Sequence, residues 1–167
     1  MIQPVTIKNK PSVFSSHEFA AVVVNSLSGE KSLVSLSNFK MGDVLTVFFA
    51  GNTFYVPNYL TIQIDTNTHI SLSPEFLQYT NHSCNPNVFF DTNSMQLIAL
   101  KEISAKDQLC FFYPSTELDM AQPFECRCGS NNCLHTIRGA LHVPIDLLLK
   151  YKLTDFVQRE IGKKSIS

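Results

Sequence analysis

At 167 residues the chain is long enough for one domain with a real core and leaves little room for a second. Its composition, 44% hydrophobic and 16% charged, is ordinary for a globular protein, and a formal charge of −1 gives no indication of a general electrostatic attraction to nucleic acid, so no direct nucleic-acid binding is expected. No apolar run has bilayer-spanning length and no basic-then-apolar leader opens the chain, so the sequence reads as intracellular, cytoplasmic or nuclear, with no membrane partner.

Residues 1–18, with Pro4, Pro11 and several serines, read as a loosely held arm. From Phe19 the pattern turns to short β runs: Phe19 to Val24 and Val44 to Ala50 are nearly continuous apolar stretches, and Leu60 to Ile64 alternates. Gly51-Asn52 predicts a hairpin turn between Val44–Ala50 and Thr53–Val56. Polar turns are expected at Asp65–Thr68 and Asp91–Ser94, and further strands at Met95–Leu100 and Leu109–Phe112. Ser73-Pro74-Glu75 has the order of an N-cap, a first-turn proline and a first-turn acid, predicting a short helix over Pro74–Tyr79. Leu149, Leu153, Phe156, Val157 and Ile161 form a helical stripe, predicting a helix over 144–162 broken near Thr154.

The cysteines carry the first chemical signal. Five is an odd number and argues against a fully paired disulfide framework. Cys126, Cys128 and Cys133 form a C-x-C-x4-C cluster, and Cys84 lies upstream in the polar turn Asn81-His82-Ser83-Cys84-Asn85-Pro86-Asn87. Four thiolates make a closed tetrahedral site of the kind zinc occupies structurally, about one ion per chain, with no position left for substrate. The alternative is a set of buried free thiols, and three of those crowded into a polar, glycine-containing loop would be unusual. Cys110, in an apolar run, reads as core.

Taken together, Asn81 to Asn87, the cysteine cluster and Asp107-Gln108-Leu109-Cys110-Phe111-Phe112-Tyr113 resemble the SET-domain protein lysine methyltransferases with a cysteine-rich post-SET segment. The resemblance covers roughly residues 20 to 138. It implies a mainly β (α+β) fold of short strands with a knotted-through C-terminal segment: a SET domain over 19–115, a zinc-bearing post-SET loop over 122–138 and a C-terminal helix over 144–162. It also implies S-adenosylmethionine as cofactor and a protein partner carrying the target lysine. By resemblance Tyr113 takes the catalytic position, and Asn81 and His82 the cofactor-binding pair. Lys31, Ser32, Leu33 and Phe124 join the cofactor site, Phe90 and Phe111 wall the lysine channel, and Phe124 or Leu134 closes it. Ser83 and Asn87 brace the chain crossing. The pattern departs in one place: Glu30 and Ser32 stand where the family carries a Gly-x-Gly turn, unless Gly29 has shifted to serve. That departure leaves a second class open, a non-catalytic module that binds a peptide or protein.

The chemistry sets requirements. A free lysine with pKa ~10.4 must become neutral to attack, which costs about 4 to 5 kcal/mol at pH 7. Desolvation in an apolar channel and a neighbouring sulfonium both lower that pKa. A narrow, aromatic, dry site is therefore expected, and Phe89, Phe90, Phe111, Phe112 and Tyr113 supply aromatic side chains near the motifs. Tyr113 is expected to orient the amine rather than to form a covalent bond; alone, it would be an ordinary strand-end tyrosine.

Overall fold

The structure, a computed structural model, describes residues 10–164, so the first half of the expected arm lies outside them. Among the described residues thirteen short strands gather into small sheets, and two α-helices follow at the C-terminal end. No helix among the described residues is long and apolar enough to cross a membrane.

The first sheet has the order β1 (Ser12–Ser16), β2 (Ala20–Val24), β3 (Lys31–Ser35), all antiparallel. Ser12–Ser16 is thus a paired edge strand rather than a loose arm. Its side chains are mostly exposed, so its pairing rests on backbone bonds that leave no apolar alternation to read. Glu30–Val34, expected as a cofactor turn, is mostly strand β3. The turn lies earlier, over residues 25–30, where the Glu30 carbonyl accepts from Asn25 N–H at 2.9 Å and the Asn25 carbonyl from Gly29 N–H at 2.8 Å. Gly29 there has φ +72°, a conformation that favours glycine.

Val44–Ala50 does not run as one strand. It divides at the fully buried Phe48 into β4 (Val44–Val47) and β5 (Phe49–Phe54). The Gly51-Asn52 hairpin turn is absent. β5 continues through both residues with a bulge between Ala50 and Thr53, and Asn52 N–H donates to Ser71 Oγ at 2.9 Å. A Cβ on Gly51 would lie 2.8 Å from that same oxygen, so the glycine serves a close strand contact instead of a turn. β6 (Thr61–Asp65) and β7 (Thr68–Ser73) complete a sheet ordered β5-β7-β6. Its central strand β7 was not expected, although Thr68 to Ser73 alternates hydroxyl-bearing residues with His69, Ile70 and Leu72.

Glu75–Tyr79 is a single 3₁₀ stretch and not an α-helix. Pro74 occupies the cap position, and no side chain caps it, so the expected Ser73 cap does not form. β8 (Asn81–His82) follows, then β9 (Val88–Asp91) and β10 (Gln96–Ala99), in a sheet ordered β4-β10-β9. Of the expected strand Leu109–Phe112 only β11 (Cys110–Phe111) is regular, and it pairs with β8 in parallel. β12 (Phe124–Glu125) and β13 (Thr136–Ile137) flank the cysteine loop.

The expected C-terminal helix is two pieces, α1 (Ile145–Leu148) and α2 (Asp155–Lys164), with the break reaching Thr154. Leu153, Phe156, Val157 and Ile161 pack with Leu148 and Phe112 in a second apolar cluster. Leu149, expected on that stripe, is 65% exposed because the chain leaves helical geometry there. The main cluster joins Leu33, Phe48, Ile70, Leu77, Phe90, Leu97 and Phe111 across the small sheets.

Candidate functional site

The site forms where two distant segments run side by side. Cys110 pairs with Asn81 and Phe111 with His82, and this parallel pairing brings the Asn-His turn against the strand that leads to Tyr113. Asn87 fixes the register with both ends of its amide: Nδ2 donates to the Gln108 carbonyl and Oδ1 accepts from Cys110 N–H, each at 2.8 Å. Ser83 N–H donates to the Phe111 carbonyl at 3.0 Å. Two parallel residues alone would hold weakly; these side-chain and flanking backbone bonds extend the joint.

His82 joins three parts of the site. Its Nδ1 accepts from Tyr113 N–H at 3.2 Å, which leaves Nε2 as the protonated nitrogen, 3.3 Å from Cys84 Sγ. Burial pushes its pKa down to about 4, so the ring is neutral at pH 7 and suited to that split role. Its ring also meets Tyr113 and Phe124 edge-on, at 5.2 Å and 5.7 Å between centroids.

A cavity of about 1060 Å³ opens beside this joint, with Gly29, Lys31, Asn81, His82, Phe111, Tyr113 and Phe124 all on its wall. Asn81 Nδ2 donates to the Lys31 carbonyl at 3.1 Å, tying the start of β3 to the Asn-His turn. The Lys31 ammonium sits 3.8 Å from the centre of the Phe14 ring and 3.4 Å from the Tyr79 hydroxyl. Phe111 and Tyr113 are 4.7 Å apart between ring centres, and Phe124 is 5.9 Å from Tyr113. Burial raises the Tyr113 phenol well above its ordinary pKa, so it stays protonated at neutral pH. A protonated phenol donates a hydrogen bond and cannot serve as the base.

Several expected residues lie elsewhere. Leu33 is fully buried in the core, and Ser32 pairs with Val23 in the first sheet, so neither reaches the cavity. Phe90 is fully buried behind Phe111, packed edge-on at 4.9 Å. Phe112 points into the second apolar cluster, stacked on Tyr151 at 3.7 Å. Cys110 is half-buried and belongs to the cavity wall rather than to the core.

One group on the wall carried no sequence signal. Glu117, four residues after Tyr113, is 7% exposed, and burial pushes its pKa up to about 7. A single glutamate beyond a strand end looks like any surface acid. Its burial depends on Gln63 and His69, both far away in sequence.

Below the joint, the sulfurs of Cys84, Cys126, Cys128 and Cys133 all lie within 4.8 Å of one another. A tetrahedral ion with metal–sulfur bonds of about 2.3 Å needs its sulfurs about 3.8 Å apart, so a small contraction completes the site. The donors around the cluster suit thiolates. Leu134 N–H points to Cys84 Sγ at 3.3 Å and His135 N–H to Cys133 Sγ at 3.4 Å. Burial works against a thiolate at Cys128, but the Ser130 hydroxyl and amide outweigh it and bring that thiol down to about 6. Cys84 is pushed up to about 11 by burial, the position of a thiol that a cation would ionise. The residues present fit one metal ion.

Comparison with known proteins agrees with this geometry. The family profile described as the SET domain matches residues 7–114. A protein of Aspergillus flavus described as methyltransferase flvH is 38% identical over 111 residues, which are 65% of this chain and 62% of that protein. A histone-lysine N-methyltransferase, H3 lysine-36 specific, of Candida albicans is 31% identical over 84 residues, 47% of this chain and 10% of that protein. The chain therefore spans less than two thirds of the length of either relative. Among solved structures, KRYPTONITE in complex with mCHG DNA and SAH superposes with a TM-score of 0.56 at 21% identity, over 73% of this chain and 30% of that one. At that identity the likeness concerns fold alone. With the Asn-His turn, the parallel joint and the cysteine cluster in place, the chain belongs to the SET-domain family.

Proposed function

We propose that the chain transfers a methyl group from S-adenosylmethionine to the side-chain amine of a protein lysine. The carrying observation is that Tyr113, Asn81, His82, Phe111 and Phe124 share one cavity wall, although they come from three separate stretches of the chain. In this reading residues 19–115 are the SET domain, 122–138 the post-SET segment and 144–162 the closing helical segment. The ion in the four-cysteine site is zinc, with a structural role.

The cavity suits the cofactor. Gly29, at positive φ on the wall, lets the backbone approach a ligand, and Lys31, also on the wall, supplies a cation for a carboxylate. When bound, S-adenosylmethionine supplies an activated methyl on a sulfonium. Asn81 and the backbone of His82 would hold its adenosine end, and Phe124, on the hairpin beside the cysteine cluster, would cover it. The rings of Phe111 and Tyr113 exclude water from the amine, and the protonated Tyr113 hydroxyl orients its lone pair.

The test is methyl transfer from labelled S-adenosylmethionine to a protein extract, with wild type and Tyr113→Phe side by side. Labelled protein with wild type alone, and methyl-lysine after hydrolysis, supports the reading. Cofactor and peptide binding without turnover would favour the non-catalytic module, and label on a small molecule would redirect the substrate class.

A further inference from the structure

A phenol that stays protonated and rings that only desolvate leave one requirement unmet. A lysine arrives at neutral pH as an ammonium, and its proton must go somewhere before the nitrogen can attack. Among the described residues Glu117 is the buried carboxyl on the cavity wall. Its side chain is locked. Oε1 accepts from Gln63 N–H at 2.7 Å and from the Thr116 hydroxyl at 3.2 Å. The surrounding backbone is strapped as well: Leu118 N–H donates to Gln63 Oε1 at 3.1 Å, Glu117 N–H to the Tyr113 carbonyl at 3.0 Å, and Ala140 N–H to the Glu117 carbonyl at 2.8 Å. Gly139, at φ +117°, allows the last of these, since a Cβ there would lie 2.5 Å from the Leu118 carbonyl oxygen.

The other carboxylate oxygen is unlike the first. Among the described residues Oε2 has no hydrogen-bond donor, and the groups facing it are few. His69 Nδ1, from β7, lies 3.9 Å away, outside hydrogen-bond range, and is itself a buried nitrogen with no partner. Burial lowers the pKa of His69, so it does not bring a fixed positive charge. Tyr113 is a further titratable neighbour, and the charge of Glu117 contributes to raising its phenol. Glu117 thus lines the cavity with one carboxylate oxygen anchored and the other without a donor, and such a buried carboxylate lacks a fixed cation.

We propose that Glu117 receives the ammonium of the substrate amine at Oε2 and takes its proton. This deepens the lysine-methylation reading and rests on it. The step balances: the ammonium N–H bond breaks, the proton forms an O–H bond on Oε2, and a neutral amine stands beside a neutral carboxylic acid. The nitrogen lone pair then forms the bond to the methyl carbon as the methyl–sulfur bond breaks. Glu117 returns its proton to solvent water when product leaves. A carboxyl titrating near pH 7 is a stronger acceptor than an exposed one and releases the proton readily to water, while the gap of about three pKa units to a free lysine is closed by desolvation of the amine and by the neighbouring sulfonium. The site is accordingly selective for unbranched cationic amines over neutral chains of the same length.

Calorimetry with n-butylamine, a chain of lysine side-chain length, tests this on protein saturated with S-adenosylhomocysteine. The wild type is expected to bind it about tenfold more weakly at pH 6 than at pH 8, because Glu117 is protonated at the lower pH. Glu117→Gln, which keeps the Oε1 acceptor and loses the charge, is expected to bind it at least tenfold more weakly than wild type at pH 8 and without that pH dependence. 1-Pentanol, neutral and of similar length, should bind both proteins alike. S-adenosylhomocysteine affinity should be equal in the two, which certifies the folded cavity. PH-independent butylamine binding by the wild type, or no binding at all, overturns the proposal without needing the variant; so does equal binding by Glu117→Gln. A wild type that fails to bind S-adenosylhomocysteine would instead overturn the methyltransferase reading beneath it.

Discussion

His82 holds the backbone of Tyr113 on one ring nitrogen and faces the sulfur of Cys84 with the other, at 3.2 Å and 3.3 Å. The cysteine cluster and the cavity are therefore joined through one neutral ring. A group that hydrogen-bonds a metal-binding sulfur tunes and orients it, and losing such a partner typically costs ten- to a hundredfold in metal affinity. His82→Phe keeps a ring of similar bulk and removes both nitrogens. It is expected to weaken zinc retention roughly tenfold in a chelator competition and to lower turnover as well. Unchanged zinc affinity would show that the ring is packing alone.

The four sulfurs predict one zinc per chain. Elemental analysis should find it near stoichiometric, and Cys84→Ser or Cys126→Ser should each lose it, because removing one of four thiolates opens the site to water. Since Phe124 sits two residues before Cys126, chelation should also weaken S-adenosylhomocysteine binding. Full retention of metal by Cys84→Ser would break the link between the Asn-His turn and the loop.

Tyr113→Phe should lower turnover by roughly a hundredfold, the usual cost of one well-placed donor, and leave S-adenosylhomocysteine affinity within about twofold. The ring contacts with Phe111, His82 and Phe124 survive the change, so the cavity keeps its shape. Near-wild-type turnover would remove the hydroxyl from the reaction.

Phe111 lines the cavity 4.7 Å from the Tyr113 ring, and in the lysine-methylation reading it would limit the space around the methylated nitrogen. A tyrosine there would hold a water in the room that a second or third methyl needs. The wild type is expected to make di- or trimethyl-lysine, and Phe111→Tyr to shift product toward monomethyl. Mass spectrometry of the modified substrate decides it, and an unchanged distribution sinks the idea.

At the Asn25–Glu30 turn the glycine that matters is Gly29. A β-carbon there has open space but an unfavourable φ, at a cost of about 1 kcal/mol. Gly29→Ala should weaken S-adenosylhomocysteine binding several-fold by shifting the turn at the cavity wall. Glu30→Gly with Ser32→Gly should not weaken it, because Ser32 lies in a paired strand away from the cavity. Calorimetry on both variants distinguishes the two positions.

Local chemistry was legible before any coordinates. Three cysteines in a polar loop, an Asn-His turn and a tyrosine closing an apolar run announce themselves within a few residues, because ligand spacing and turn chemistry are short-range properties. The same holds for the apolar strands β2 and β10, and for the break ahead of α2, where a stripe meets polar Thr154 and Asp155. Edge strand β1 and the bulge at Gly51 were not legible, since each depends on what the backbone meets across a sheet.

The sequence alone determined which thiols, amides, imidazoles and aromatic rings are available for chemistry. Tertiary structure decided which of them share a space. It turned Phe90 and Leu33 into supporting core and set Gly29 rather than Ser32 on the cavity wall. It also carried Glu117 inside, where the loss of water moves an ordinary carboxyl to a pKa of about 7. Solvation is a property of the folded surroundings, set here by Gln63 and His69 from a sheet more than forty residues upstream, and no stretch of neighbouring sequence encodes it.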